Sequence, residues 1–159
     1  MVDDLQITIE RLADIFNLKA TSLGISLAYA RLPSSLTTTP AVCFFVGQQL
    51  YSPYIDSEDL KLEKTLIVIR LYEDHIQQGT PGEVEERLKT RIPLIRDLIL
   101  SRPGLSLDAT HGPLDGVKRA VLERSSGIHT LMYAEEIYAG IEWMITVERI
   151  IEVIYADHE

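Results

Sequence analysis

From Ile141 to Val147 every second residue is large and apolar: Ile141, Trp143, Ile145 and Val147, with Glu142, Met144, Thr146 and Glu148 set between them. Side chains of a strand point to opposite faces at each step, so a period of two requires a strand with one buried face. A helix would spread those four residues around its axis. The segment is therefore a half-exposed antiparallel strand, and the fold must contain a sheet. A second segment, Lys61 to Tyr72, reads differently. Thr65, Ile67, Ile69 and Leu71 lie on one side and Leu66, Val68, Arg70 and Tyr72 on the other. Both parities are largely apolar in the middle, which places this strand centrally, with cover on both faces.

The sheet needs helices to cover it. Leu5, Ile9, Leu12 and Phe16 recur at steps of four, three and four and predict a helix over residues 3–18, with Ile7 and Ile15 either widening its apolar face or meeting a partner. Thr80-Pro81-Gly82-Glu83 carries an N-cap residue, proline at the first helical position and glutamate at the third. It opens a helix with Val84, Leu88, Arg91 or Ile92, Ile95 and Leu98 or Ile99 on one face, ending near Ser101. Pro93 falls inside it and predicts a kink or a break into two helices.

The remaining chain is read from its breakers. Ile25, Leu27 and Tyr29 alternate with smaller residues, as an irregular strand or part of a second helix, ending at Pro33; Ser34 to Pro40 is a loop. Ala41 to Val46 is a strand bounded by Pro40 and Gly47. Residues 47–60 read as a long connection or hairpin tip, and 104–115 as a loop. Gly116 to Arg124 is a further strand, Ser125-Ser126-Gly127 a turn, and His129 to Glu136 another segment before the final strand, with Ile150 to Tyr155 continuing it or pairing with a neighbour. The expectation is an α+β domain over residues 1–159: a mixed or antiparallel sheet with the N-terminal and central helices packed on one side.

Charge narrows the function. The 159 residues carry 24 Asp and Glu against 15 Lys and Arg, a net charge of −9, which argues against a surface that grips nucleic acid. The single cysteine, Cys43, sits in an apolar run and reads as a buried thiol, so a disulfide framework within the chain is excluded and a reducing compartment is expected. Residues 1–19 are interrupted by acids and read neither as a signal peptide nor as a membrane span.

Candidate chemistry is sparse. His75, His111, His129 and His158 lack metal-ligand spacing, and the neighbours Asp74-His75 and Asp157-His158 need not face each other. Ser125 or Ser126 with His129 and Asp115 could be assembled into a triad, as many chains of this length permit. Glu58-Asp59, Glu85-Glu86 and Glu135-Glu136 are paired carboxylates, read as charged surface; Glu83, Glu85 and Glu86 also suit the start of a helix. Gly104, Gly112, Gly116, Gly127 and Gly140 stand singly, as turn or bulge residues. No catalytic, cofactor or metal residue is assigned, and the chain is expected not to be an enzyme. Tyr51, Tyr54, Tyr72, Tyr133, Tyr138 and Tyr155 either supply an interface or are half-buried.

The N-terminal helix, Leu32-Pro33 with the Ser/Thr-rich approach to Pro40-Ala41-Val42, the helix Glu83–Leu100, and Tyr133…Tyr138-Ala139-Gly140-Ile141 leading into Trp143–Val147 together resemble the tail-terminator, or tail-completion, proteins of long-tailed bacteriophages. The resemblance covers most of the chain. It implies a small α+β subunit of a hexameric ring on the head-proximal end of the tail tube. Such a ring stops tube polymerisation, presents the surface that joins the head connector or head-closure protein, and lets DNA pass through its channel. It implies a place in the virion, with assembly in the host cytoplasm. Region 47–64 and the Pro93-bearing helix are where the chain departs from the pattern. Loop 47–60, with Tyr51 and Tyr54, is the candidate contact with the tube or a neighbouring subunit. Another neck component and a small ligand-binding or enzymatic domain remain open as alternatives.

Overall fold

The computed structural model describes residues 4–54, 59–76, 81–108 and 110–152. In chain order these form α1 (Asp4–Leu18), α2 (Ala20–Leu23), β1 (Leu27–Tyr29), β2 (Ala41–Pro53), β3 (Leu60–His75), α3 (Pro81–Leu100), β4 (Val117–Tyr133) and β5 (Glu136–Glu152). The five strands make one sheet in the order β1-β2-β3-β5-β4, with β1 parallel to β2 and every other pair antiparallel. This is the expected α+β arrangement with a mixed sheet, and β3 is its middle strand.

Periodicity explains the layers. Ile67, Ile69 and Leu71 of β3, Ile141, Trp143, Ile145 and Val147 of β5, and Val42 and Phe44 of β2 form one buried cluster with α1 and α3. From α1 come Ile9, Leu12, Ala13, Ile15 and Phe16; from α3 come Val84, Leu88, Ile95, Leu98 and Ile99. Both helices therefore cover the same face, and Ile15 widens the apolar stripe of α1. Phe16 meets Phe44 edge-on at 5.5 Å.

Several expectations are corrected. α3 runs through Pro93 without breaking into two helices. Buried residues on both sides of the proline hold the two halves against one sheet, and that packing outweighs the lost hydrogen bond. In β1 the parity is inverted: Ala28 is buried and Leu27 exposed. Asn17 of α1 bonds the backbone N–H and carbonyl of Ala28 and fixes the strand there. Residues 47–53 are not a connection but the outer half of β2, which pairs with β3 as far as Pro53 opposite Lys61. A bulge between Val46 and Gln49 lets the strand continue past Gly47.

Ser125-Ser126-Gly127 is likewise no turn. It is a bulge within the unbroken β4, with Gly127 at φ 76°. The reversal comes instead at Ala134 and Glu135, both at positive φ (48° and 69°), between Tyr133 and Glu136, which pair. That is a two-residue hairpin turn made without glycine or asparagine. The Thr80 cap and the tail beyond Glu152 lie outside the described residues. No helix among the described residues is long and apolar enough to cross a membrane.

One polar device ties the layers. Glu73 is the extra residue of a bulge in β3, between Tyr72 and Asp74, and is 2% exposed. It accepts hydrogen bonds from Arg91 Nε, from Arg91 Nη2 at 2.7 Å and from Arg87 Nε at 3.1 Å. Arg91 also donates to the Leu23 carbonyl at 2.8 Å, so α3, β3 and the end of α2 share one charged junction.

Candidate functional site

The face of the sheet turned away from the helices is the candidate site, because apolar and charged side chains alternate across four strands there with none of the described helices above them. Three zones divide it.

At one end, Cys43, Tyr72, Leu131 and Tyr138 form a second buried cluster, bordered by Tyr29, Leu36, Phe45 and Tyr133. Tyr72 meets Tyr133 and Tyr138 edge-on at 5.5 Å each. Tyr133 donates to the Pro33 carbonyl, which fastens the loop after β1 over this end, and Tyr72 donates to Met132 O at 3.4 Å. Burial pushes the Cys43 thiol, Tyr133 and Tyr138 each up to about 12. These groups stay neutral at physiological pH and work as packing. Of the six tyrosines considered for an interface, Tyr72 and Tyr138 are buried and Tyr133 half-buried; Tyr51 is 58% exposed, Tyr54 is half-buried, and Tyr155 lies outside the described residues.

In the middle, Arg70 Nε and Glu142 Oε1 sit 2.6 Å apart without hydrogen-bond alignment, and the Arg70 guanidinium stacks 4.7 Å from the centre of the Phe45 ring. Beside them Ser126 Oγ lies 3.1 Å from His129 Nδ1. Serine and histidine of the postulated triad are thus brought together. Ser126 accepts from Glu142 N at 2.9 Å and donates to Gly127 O at 2.8 Å. His129 Nδ1 also faces Gly127 O at 3.2 Å, and a carbonyl only accepts. The Ser126 hydroxyl is thus held by two backbone groups beside the imidazole. Asp115 precedes β4, roughly 30 Å away at the rise of a strand.

At the other end the sheet curls. Lys118 Nζ of β4 lies 5.2 Å from the centre of the Tyr54 ring, just beyond β2, although β3 and β5 stand between those strands. Strand twist, increased by the bulges in β2 and β4, brings the two together. The result is a concavity of about 400 Å³ with Leu50, Leu66 and Val121 in its wall and Lys64, Arg119 and Glu148 beside them. Glu148 is 3% exposed. It accepts from Arg119 Nε and from Arg119 Nη2 at 3.2 Å, and Lys64 Nζ lies 3.6 Å away. The Arg119 hydrogen bonds hold the Glu148 carboxyl below its ordinary range, against the opposing effect of burial. It is a fixed anion in an ion-paired wall, without a proton to give at neutral pH.

The other candidate residues have local partners. Asp108 accepts from the backbone N–H of Thr110 and His111 at 2.8 and 2.6 Å and lies 3.0 Å from His111 Nδ1, and its carboxyl is lowered by those bonds. His75 lies 3.7 Å from Glu136 and edge-on to Tyr138, whose hydroxyl donates to Glu136 at 2.8 Å. Glu85 and Glu86 both reach Lys89 on the surface of α3. Glu58, Asp157 and His158 lie outside the described residues. Among the described residues no three His, Cys, Asp or Glu side chains converge to hold a metal ion.

The curled concavity was hidden from sequence reasoning because its wall comes from four strands. Its only local sign was the apolar second face of β3. No protein-family model matches the chain, and no curated protein matches it.

Proposed function

We propose that this chain is a ring-forming structural subunit, a tail terminator that caps a phage tail tube and offers the surface that joins it to the head. The observation that carries this reading is the distribution of exposed apolar residues at the two ends of the sheet. The β2–β3 hairpin presents Leu50 and Tyr51, 55% and 58% exposed. The β4–β5 hairpin presents Met132 and Ile137, 63% and 42% exposed, at the opposite end. Each hairpin would cover apolar surface on contact with another chain.

The two surfaces differ, so contact between them in successive copies is head-to-tail, and such contacts close into a ring when the rotation per copy permits. Subunits of net charge −9 would line a channel that repels a DNA duplex rather than holding it. The tube protein and a head-side connector or head-closure protein are the proposed partners. Strand outweighs helix among the described residues, and that proportion favours, as a second reading, another component of the head–tail neck.

Electron imaging of the purified chain, alone and with tube protein, tests the proposal. Closed rings with an open channel wide enough for duplex DNA, seated on tube ends, are expected. A chain that neither forms rings nor caps tubes contradicts it. A metabolite that saturates the concavity of a monomeric chain would replace it with a ligand-binding role.

A further inference from the structure

Resting on the subunit reading above, we infer that the sheet continues from copy to copy: the free edge of β4 of one copy, Ile128–Tyr133, pairs antiparallel with the free edge of β2 of the next, Phe45–Ser52. The other stretches of sheet edge are guarded. Along β1, Asn17 donates to Ala28 O at 2.9 Å and accepts from Ala28 N at 2.8 Å, so a side-chain amide occupies the backbone groups another strand would need. The first half of β4 carries Lys118, Arg119, Glu123 and Arg124 and two register shifts, and Ala120 N donates to Pro103 O. The two remaining stretches lack such cover. β1 pairs with β2 only over Ala41–Cys43. Among the described residues no loop backbone bonds β2 from Phe45 to Ser52 or β4 from Ile128 to Leu131. Residues 32–55 hold no Asp, Glu, Lys or Arg, and neither do residues 125–134, in a chain where those four make up 25%. Edges that stay apart are kept so by such charges, and these two edges have none of their own.

Strand direction and face fix how the two edges meet. β2, β3, β5 and β4 are antiparallel in succession, so β4 runs against β2. Laid beside the β2 of the next copy, with both helical layers on one face, it makes an antiparallel pair. Ile128, Thr130 and Met132 stand opposite Ile141, Ala139 and Ile137 and share the helix-side parity of the sheet. Val46 opposite Ile67, and Tyr51 opposite Glu63, share that parity on β2. Val46 and Tyr51 are five residues apart, but the bulge between Val46 and Gln49 contributes one extra residue, so they match the four-residue step from Ile128 to Met132. Ile128 then faces Tyr51, Thr130 faces Gln49 and Met132 faces Val46, with His129 against Leu50 on the other side. Val46, Leu50, Tyr51, Ile128 and Met132 are all exposed in the single chain, and each gains the cross-strand neighbour that an edge position lacks. The nearest charges on the β2 side, Glu63 and Lys64 of β3, are of opposite sign and one strand further in. The pair ends with Tyr133 opposite Phe45, short of Cys43, where β1 covers β2. One junction of this kind covers both free edges of every copy, whereas β4 against β4, or β2 against β2, leaves the other edge bare. Ile128 lies level with Ile141 of β5 and Tyr51 level with Arg149, so each copy steps about 26 Å along the strands, and a closed ring has strands inclined to its axis, as closed barrels do. The contact is heterologous and repeats from copy to copy.

The test places an edge lysine on either side, Thr130→Lys on β4 and Val46→Lys on β2, both at exposed positions where the fold tolerates change. Urea unfolding that matches wild type, at a concentration where all chains are monomeric, certifies folding. Each variant alone is expected to remain monomeric where wild type assembles. Mixed in equal amounts they are expected to give a one-to-one pair and nothing larger, because only the β4 edge of the Val46→Lys chain and the β2 edge of the Thr130→Lys chain are intact. Oxidising a mixture of Tyr51→Cys and Ile128→Cys chains is expected to give a mixed cross-linked dimer well above either chain alone, since opposed strand residues lie within disulfide reach. Tyr51→Cys with Met132→Cys, four residues out of register, is expected to give none. Cys43 is buried, with its thiol pushed up to about 12, and stays out of the reaction. A wild type that assembles while both lysine variants assemble equally well, or an assembling cysteine mixture that links no better than the out-of-register one, overturns this contact alone. So does efficient linking of Thr130→Cys chains to each other, which would join two β4 edges. A wild type that is monomeric at every concentration overturns the subunit reading and the contact together.

Discussion

Replacing Glu73 by alanine removes the acceptor shared by Arg91 and Arg87 and leaves two guanidinium groups behind. Their fates differ. The Arg91 side chain is 12% exposed and cannot recover water, so breaking its pair costs about 3–5 kcal/mol. The Arg87 side chain is 41% exposed and keeps Asp74 at 3.1 Å, so its loss adds less than about 1 kcal/mol. The expected destabilisation is therefore about 4 kcal/mol, or a fall in Tm of roughly 8–16 °C for a chain of this size. Urea unfolding followed by circular dichroism at fixed protein concentration measures it, with the m-value unchanged if the native fold persists. The double variant Glu73→Leu, Arg91→Met removes both charges and fills the space, and should regain most of the loss. A Glu73→Ala chain within about 1 kcal/mol of wild type, or a double variant as unstable as the single, would refute the idea that an uncompensated buried arginine sets the cost.

Three further outcomes are expected. Gly140→Ala drives a methyl into the Leu71 carbonyl oxygen and to 2.6 Å from Leu131 Cδ1, and thermal melts should show a loss of about 3 kcal/mol or more. Cys43, buried with its thiol pushed up to about 12, should ignore a disulfide reagent at pH 8 in the folded chain and react once unfolded; rapid native reaction would show the burial to be wrong. Glu148, lowered chiefly by its Arg119 hydrogen bonds, binds fewer protons folded than unfolded across its titration window, so stability rises with pH there. Its contribution should be full above the ordinary glutamate range and vanish as pH falls through the lowered folded value, so that the stability gap to Glu148→Gln closes in acid and is widest near neutrality.

The elements legible in the sequence were those whose pattern is local. The alternation at Ile141–Val147, the two-sided apolar run of β3 and the stripe of α1 each follow from neighbouring residues and a period. What escaped depends on distant partners. Nothing near Gly47 announces that β2 continues for six more residues, because the bulge there is sustained by pairing with β3. Ala134-Glu135 lacks the usual turn residues, so the sequence pattern points to Gly127 instead, seven residues before Ala134. Asn17 reads as one more helix residue until Ala28 lies beside it. Glu73 reads as one acid among 24 until Arg87 and Arg91 fold over it. The exposed hairpin tip and the concavity follow the same rule: each is ordinary in sequence, and only the sheet shows that they lie at opposite ends.

The central claim is that the chain's function is contact with copies of itself. Sedimentation equilibrium of the wild-type chain across a wide concentration range, with and without tube protein, tests it most directly. A concentration-dependent passage from monomer to one closed species of fixed stoichiometry, six chains by the resemblance to tail terminators, is the predicted result. A single monomer mass at every concentration and with the partner present would contradict it.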